Sequence, residues 1–160
     1  MGWAICGHGH AHWGRRGAAG LLLADSGRVL LQRRARWTHQ GGTWSVPGGA
    51  READESAVEA ALREAHEELG VDAGAVDVRG SYVASCGGWE YETVLAEPRS
   101  LLELEDRAES EAHRWIPAGE VDALRLHPSF RAAWADDGGA LRAFVEGGVG
   151  GPGQVPQNVW

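Results

Sequence analysis

The chain has 160 residues, of which 43% are hydrophobic and 24% charged, and these values are typical of one globular domain and exclude a disordered or collagen-like chain. Lys and Arg total 15 against 23 Asp and Glu, a net charge of −8, so we expect no nucleic-acid partner. No apolar run is close in length to a membrane-spanning helix, which needs about 20 residues, so we expect no membrane partner. The N-terminus lacks the pattern of a secretory signal, and Cys6 and Cys86 are expected to be free thiols in a reducing cytoplasm, with one disulfide as the alternative.

Residues 1–16 form a Gly- and His-rich extension in which Cys6, His8, His10 and His12 alternate with other residues. In an extended segment these four side chains share one face, with neighbours about 6–7 Å apart. That separation suits a transition-metal site. The spacing matches no recognised zinc motif, however, and a mobile His-rich arm is the favoured interpretation.

A domain over 17–146 is predicted to follow, with strands and helices in alternation. Apolar runs over 18–24 and 29–34 flank the turn at Asp25 and indicate a β-hairpin. After a Gly-rich loop over 35–49, apolar residues recur at three- and four-residue steps. This spacing predicts an amphipathic helix that begins at Asp54 as N-cap and ends at Gly70.

The second half of the chain continues the mixed pattern. Strands are predicted over 76–84, 91–96 and 113–116, an acidic stretch of uncertain structure over 101–111, a short helix over 117–124, one broken helix over 128–134 and 141–145, and a flexible Gly/Pro-rich tail over 147–160. Hairpins that alternate with helices favour an α/β fold with a mixed β-sheet flanked by helices.

The chemistry is expected on the helix that follows the Gly-rich loop. Glu64, Glu67 and Glu68 stand at i, i+3 and i+4, so their side chains share one face. No Lys follows any of them at i+4, so the usual ion-pair explanation for clustered glutamates is missing. A solvated acidic face is one interpretation. The other is a divalent cation that relieves the repulsion, and an all-oxygen ligand set suits Mg²⁺ or Mn²⁺.

A longer pattern contains these glutamates. It reads Gly49-x5-Glu55-x7-Arg63-Glu64-Ala65-x-Glu67-Glu68-x-Gly70-Val71, directly after Pro47-Gly48. This run resembles the signature of the Nudix hydrolases (MutT-like proteins) at every fixed position, with Ala65 as a small occupant of the aliphatic place. The preceding residues from Trp44 to Gly49 resemble the family's usual entry to this box.

The resemblance implies a fold, a reaction and a set of roles. The fold is a Nudix-type α/β/α sandwich, and the reaction is hydrolysis of a pyrophosphate bond in a nucleoside diphosphate derivative by attack of water on phosphorus. By the family's pattern, Glu64, Glu67 and Glu68 hold Mg²⁺ or Mn²⁺, and the Gly48 carbonyl adds a ligand. Arg63 orients the carboxylates, and Glu55 supports the helix and its loop.

The general base is less closely defined. Either Glu64 or Glu68 is a candidate, but a metal-bound carboxylate is a weak base. In this family the base sometimes comes from a downstream loop, and the acidic stretch here supplies Glu103, Glu105, Asp106, Glu109 and Glu111. Glu109 is the preferred loop candidate, although a solvated charge run remains the favoured interpretation of the stretch as a whole.

Candidate substrate contacts lie on either side of the box. Arg33 and Arg34, at a predicted strand end, could meet phosphates, and a solvated strand edge is the alternative. Trp37 and Trp89, in predicted loops, could stack on a base, and packing is the alternative.

The substrate is inferred by elimination. The markers of the ADP-ribose, dinucleoside polyphosphate, coenzyme A and NADH subfamilies are not visible, which leaves nucleoside triphosphates, including oxidised ones. A catalytically silent nucleotide sensor is the leading alternative, and an isomerase of isoprenoid diphosphates is a third. Many family members are dimers, so a homodimer is left open.

Overall fold

A buried apolar strand, Ala18–Asp25, is the element around which the rest of the chain is arranged. In the computed structural model, which describes residues 3–136 and 139–147 without the Trp13 side chain, every residue of this strand except the last is buried. The strands are β1 (Trp3–Ile5), β2 (Ala11–Trp13), β3 (Ala18–Asp25), β4 (Arg28–Arg34), β5 (Trp44–Ser45), β6 (Gly48–Ala50), β7 (Val76–Cys86), β8 (Trp89–Pro98) and β9 (Ser110–Pro117), and the helices are α1 (Ala57–Leu69), α2 (Pro128–Trp134) and α3 (Ala140–Val145).

Within these ranges the main sheet has seven strands and is mixed. Its order is β5-β4-β3-β8-β7, with β6 paired to β3 and β9 paired to β4. The β3–β8 pair is parallel, and the other neighbours are antiparallel. The predicted hairpin of β3 and β4 and the strands that become β7 and β8 are therefore confirmed.

Two apolar layers cover the sheet, one on each face. On one face, Leu21, Leu23 and Leu30 pack with the alanine-rich side of α1. On the other, Leu22 and Leu31 pack with residues of α2 and α3. Neighbouring residues of β3 thus serve opposite layers, as the two-residue period of a strand requires. The predicted α/β/α sandwich is confirmed.

Helix α1 begins two residues later than predicted. Its N-cap is Ser56, whose hydroxyl accepts a hydrogen bond from the Glu59 N–H at 3.0 Å, while the Glu59 carboxylate accepts one from the Ser56 N–H at 2.8 Å. Asp54 instead lies in the preceding turn with a φ of +63°, so it cannot cap the helix. Gly70 ends the helix in the left-handed region, as predicted.

Two other predictions need correction. Within residues 3–13, the expected mobile His-rich arm is instead a hairpin, in which β1 and β2 pair as a separate antiparallel sheet. The C-terminal pattern is two helices, α2 and α3, rather than one broken helix. The predicted tail falls outside the described residues except for Gly147. In the described part of the chain, no helix has the length and apolarity needed to cross a membrane.

The capping box of α1 gives the first testable prediction. Ser56→Ala removes the acceptor for the Glu59 N–H and should lower the free energy of unfolding by about 1 kcal/mol, measured by urea denaturation. Ser100→Ala, a matched change at an exposed loop serine, should stay within about 0.5 kcal/mol of the parent protein. Equal effects of the two substitutions would show that the cap contributes nothing.

Candidate active site

The chain bends at Pro47 and enters strand β6 at Gly48 and Gly49. This segment, the Gly48-Gly49 turn, lies directly against the acidic face of α1. Strand β6 pairs antiparallel with β3 over these residues, which fixes the turn on the sheet. A Cβ atom added at Gly49 would lie 2.6 Å from Cδ of Glu64, a distance at which atoms overlap. Because only glycine leaves room for this carboxylate, the sequence of the turn and the position of Glu64 depend on each other.

Glu68 is the most constrained of the acidic side chains. It is buried, it accepts a hydrogen bond from Nε2 of Gln32, and it lies beside Glu64. Burial, followed by the interaction with Glu64, raises the pKa of Glu68 to about 9. In the protein without a cation, Glu68 therefore holds a proton at neutral pH.

Arg63 joins the acidic face to the loop before the helix. Its Nε and Nη2 donate to the Glu55 carboxylate at 2.7 and 2.9 Å, and Nη1 donates to Glu64 at 2.8 Å. Glu67 lies 3.2 Å from the same Nη1, and its side chain is 47% exposed. Nη2 also donates to the carbonyl of Ala50 at 3.1 Å. One guanidinium thus fixes two carboxylates and the end of the Gly-rich turn.

A cavity of about 640 Å³ opens beside the Gly48-Gly49 turn. Gly48 and Gly49 line the cavity, whereas the carboxylates of α1 do not. Since Gly49 lies against Glu64, the two glycines separate the cavity from the acidic face. Its polar and aromatic lining consists of Trp3, His12, Arg34, His39, Ser45, Ser85, Cys86, Trp89, Tyr91, Thr93, Glu109, His127, Ser129 and Phe130. The structure therefore places three of the predicted residues, Arg34, Trp89 and Glu109, on the same cavity as Gly48.

The two predicted arginines separate, since neighbours on a strand ordinarily point to opposite faces of the sheet. A register shift falls between Arg33 and Arg34 in the β4–β9 pair. Arg34 lines the cavity, and its Nε donates to the His39 carbonyl at 2.9 Å. Arg33 is not on the lining; it pairs with Glu111 at 2.8 Å and lies over the ring of Trp44.

The two predicted tryptophans also separate. Trp37 is 74% exposed and is not on the lining. Trp89 begins strand β8 rather than standing in a loop, and it stacks on His12 with ring centroids 4.2 Å apart.

The acidic stretch is dispersed in the structure. Three of its carboxylates have local partners: Glu105 pairs with Arg107, Asp106 contacts His113 at 2.9 Å, and Glu111 pairs with Arg33. Glu103 is exposed. Of the five acidic residues, Glu109 alone lines the cavity.

Sequence reasoning missed His127 and Tyr91 as cavity residues. His127 is the N-cap of α2, where Nδ1 accepts from the Ser129 N–H at 3.1 Å. Burial, and then the nearby Arg34, lowers the pKa of His127 to about 4, so this imidazole is neutral with its proton on Nε2. A His before Pro128 was the only signal, and it indicates a helix start rather than a site. Burial raises the pKa of Tyr91 above its ordinary range.

Known proteins share the sequence pattern and the fold of this chain. A profile of the NUDIX domain matches residues 14–137. The crystal structure of RenU, a Nudix hydrolase from Mycobacterium smegmatis, is 44% identical and superposes with a TM-score of 0.75 over 83% of this chain and 89% of that one. The chain therefore belongs to the Nudix family.

Two curated relatives are longer than this chain. The putative 8-oxo-dGTP diphosphatase 3 of Mycobacterium tuberculosis H37Rv is 45% identical over 144 residues, which cover 83% of this chain and 66% of that protein. A nucleoside triphosphate pyrophosphatase/Nudix hydrolase fusion protein of Bifidobacterium longum is 39% identical over 83% of this chain and 30% of its own length. The chain thus spans two thirds or less of these relatives.

The contact between Glu55 and Arg63 gives the second prediction. Arg63 holds the pKa of Glu55 below its ordinary value, so the ionised form stabilises the fold above that value and this stabilisation is lost as pH falls through the lowered pKa. Glu55→Gln should therefore lower the free energy of unfolding by about 1.5–3 kcal/mol at pH 7, and by less in acid.

Urea denaturation across the acid range measures this difference. Glu52→Gln is the matched control, because Glu52 is 55% exposed and lies 3.7 Å from the same guanidinium; it should change stability by under about 1 kcal/mol. A Glu55→Gln effect that is independent of pH would contradict the prediction.

Proposed function

We propose that this protein hydrolyses a pyrophosphate bond of a nucleoside triphosphate, or of a related nucleoside diphosphate derivative, with Mg²⁺ or Mn²⁺ as cofactor. The observation that carries the proposal is the Glu64–Glu68 pair, fixed by Arg63 behind a Gly48-Gly49 turn that opens on the 640 Å³ cavity. The M. tuberculosis relative is named as acting on 8-oxo-dGTP, which supports a nucleoside triphosphate as the first substrate to test.

The residues present fit a hard divalent cation. Glu64 and Glu68 are neighbouring carboxyl groups, one of them buried, and burial, followed by the interaction with Glu64, raises the pKa of Glu68. A cation would replace the proton of Glu68 and favour its ionised form. Glu64, Glu67, Glu68 and the Gly48 carbonyl would hold it, and this all-oxygen set suits Mg²⁺ or Mn²⁺ rather than zinc. When bound, such an ion neutralises phosphate oxygens and acidifies water.

The protein's own groups supply orientation. Arg63 is a positioning residue, since it contacts Glu55, Glu64 and the Ala50 carbonyl rather than the cavity. Arg34, a cation on the lining, is placed to meet phosphate oxygens. Trp89 offers an aromatic face for the base, and because His12 covers one side of its ring, the base would use the other. The proposed substrate site leaves out Arg33 and Trp37.

Glu109 is the loop residue that we propose as general base. It is exposed, it lies on the cavity, and no other side chain of the acidic stretch shares that position. Its backbone is fixed, since the Glu109 carbonyl accepts a hydrogen bond from the Ala35 N–H at 2.7 Å. A carboxylate that is free of the metal keeps the basicity that a ligand loses. The two cysteines are free thiols, which suits the reducing cytoplasm as the place of action.

A substrate panel tests the reaction itself. Purified protein with Mg²⁺ or Mn²⁺ is offered canonical and oxidised nucleoside triphosphates, ADP-ribose, dinucleoside polyphosphates and nucleotide sugars, and the products are separated by chromatography. Metal-dependent cleavage of a triphosphate, with EDTA abolishing it, is the expected result. Nucleotide binding without any turnover would overturn the proposal in favour of a sensor.

The acidic face gives the third prediction. Glu67→Gln and Glu68→Gln should each lower kcat by about a hundredfold or more, because each removes a ligand charge from the proposed metal site. Glu120→Gln is the control, because Glu120 is exposed and does not line the cavity. Circular dichroism checks that the variants fold. A near-parental rate for both Glu67→Gln and Glu68→Gln would disprove the ligand assignment.

The base assignment gives the fourth prediction. Glu109→Gln should lower kcat by about a hundredfold or more while KM changes little, since the substitution removes proton transfer and leaves binding intact. Glu103→Gln, an exposed change in the same loop, should leave kcat unaltered. A kcat for Glu109→Gln within about threefold of the parent would return the role to Glu64 or Glu68.

A further inference from the structure

Two turns far apart in the sequence bring sulfur and nitrogen ligands together. The first joins β1 to β2 and carries Cys6 and His10, with His12 just beyond it in β2; the second joins β7 to β8 and follows Cys86. One ligand atom from each of these four residues lies within 4.8 Å of the other three. We propose that Cys6, His10, His12 and Cys86 form a zinc site that fixes the N-terminal hairpin to the main domain.

The distances suit a tetrahedral ion. The two Sγ atoms are 3.2 Å apart, and Nδ1 of His10 is 3.2 Å from Sγ of Cys86. In a tetrahedral zinc site, with Zn–S about 2.3 Å and Zn–N about 2.1 Å, ligand atoms are about 3.4–3.8 Å apart. Two of the distances thus lie just below this range and the others are at most 4.8 Å, so small shifts of the side chains would bring the four atoms to tetrahedral spacing. Two thiolates and two imidazoles also form a soft donor set that selects zinc over Mg²⁺ or Ca²⁺.

The imidazole of His12 supports a ligand role independently. Its Nε2 atom is buried and has no hydrogen-bond partner in the described part of the chain. Buried polar atoms are rarely left unpartnered. The ring itself is fixed by its stack on Trp89.

The backbone around the sulfur atoms is built to hold them. The Cys6 N–H donates to the His10 carbonyl and the Gly9 N–H donates to the Cys6 carbonyl, both at 2.9 Å, which closes the first turn. The Gly7 N–H donates to the Gly87 carbonyl at 2.8 Å, which joins the two turns. The His8 N–H lies 3.4 Å from Sγ of Cys6, a contact that stabilises a thiolate.

The contact between the turns requires glycine. A Cβ atom on Gly87 would lie 2.7 Å from the His8 nitrogen, so any side chain there would force the turns, and with them Cys6 and Cys86, apart. Close approach of two backbones at this point is thus encoded in the sequence.

The N-terminal hairpin needs such an anchor. Within the described residues, its two strands have three residues each and form a sheet of their own, and an isolated two-stranded ribbon is marginally stable in water. Ile5 on β1 is 70% exposed, so burial of this side chain contributes little to holding the strand. Since Trp3, His12 and Cys86 all line the cavity, the ion would also define one wall of the proposed substrate site.

The site differs from the family's acidic box. The NUDIX profile begins at residue 14, and three of the four ligands precede that point. The proposal does not depend on the substrate or on the reaction proposed above, because zinc alone is the probe.

Cobalt substitution and metal analysis test the site on the full chain. Protein purified with reductant is expected to bind about one Zn²⁺ per chain and to retain it in excess Mg²⁺. With Co²⁺, thiolate-to-cobalt charge-transfer absorption and intense four-coordinate d–d bands are expected, and zinc should displace them. Zinc should also raise the melting temperature.

Variants separate this site from the acidic face. Cys86→Ser and His12→Gln should each abolish the tight zinc or change the cobalt spectrum, whereas Glu67→Gln and the matched control His113→Gln should leave both unaltered. The spectrum of the parent protein tests the proposal even where a variant fails to fold.

Two results would overturn the proposal. One is weak zinc that Mg²⁺ displaces, with no thiolate charge-transfer band in the fully reduced protein. The other is a Cys6–Cys86 disulfide that forms in purified protein despite saturating zinc, detected by mass spectrometry under non-reducing conditions, because zinc-bound thiolates resist that oxidation.

Discussion

The buried carboxyl group of Glu68 is the constraint on which the proposed active site depends. It lies on the face of α1 that packs toward the sheet, beside Glu64 and under Gln32 of β4. Burial of a charged carboxylate beside another carries a large desolvation and repulsion cost. The fold accepts this cost and surrounds the pair with fixed groups: Gln32 from the sheet, Arg63 from the helix, and the Gly48-Gly49 turn. Such a pair is an unfavourable arrangement for stability alone, and the proposed cation would make it favourable.

The position of the pair follows from the sheet. The short strand β6 lies antiparallel to β3, which places the Gly-rich turn above the middle of α1. Helix α1 is fixed at both ends, by the Ser56–Glu59 capping box and by Gly70, and its alanine-rich face packs closely on the sheet. Small side chains on that face bring the helix backbone close to the sheet. The acidic face is then held by packing, and the ion pairs of Arg63 only refine its orientation.

The sequence predicted those parts of the molecule that depend on local pattern. The helix and its acidic face were predicted from spacing, because neighbours three or four residues apart must meet on a helix. The β3–β4 hairpin was predicted from two apolar runs that flank a turn. The N-cap was misplaced because Asp54 is itself a good cap residue, although Ser56, with Glu59 three residues later, carries the capping-box pattern. Arg33 and Arg34 are neighbours on a strand, which ordinarily point to opposite faces, but no local pattern records which of them meets the cavity, or that Trp37 lies away from it. Cys86 could not be joined to Cys6 from sequence, because 80 residues separate them and only the fold of β7 brings them together.

The cavity between these regions explains why two kinds of metal chemistry would not compete. On one side are carboxylate and carbonyl oxygens behind the Gly48-Gly49 turn, and on the other are the sulfur and imidazole atoms of the N-terminal hairpin and the β7–β8 turn. Hard Mg²⁺ binds thiolate poorly, and zinc prefers the nitrogen and sulfur set. The acidic site would exchange its ion with solvent, as a hydrated Mg²⁺ site does. The four-ligand set has no position left for water, so an ion there has a structural role. Trp89 connects the two, since it begins the strand after Cys86, stacks on His12 and faces the cavity. The orientation of the proposed base-stacking surface would therefore be set by the hairpin, and the family's shared domain would supply the chemistry.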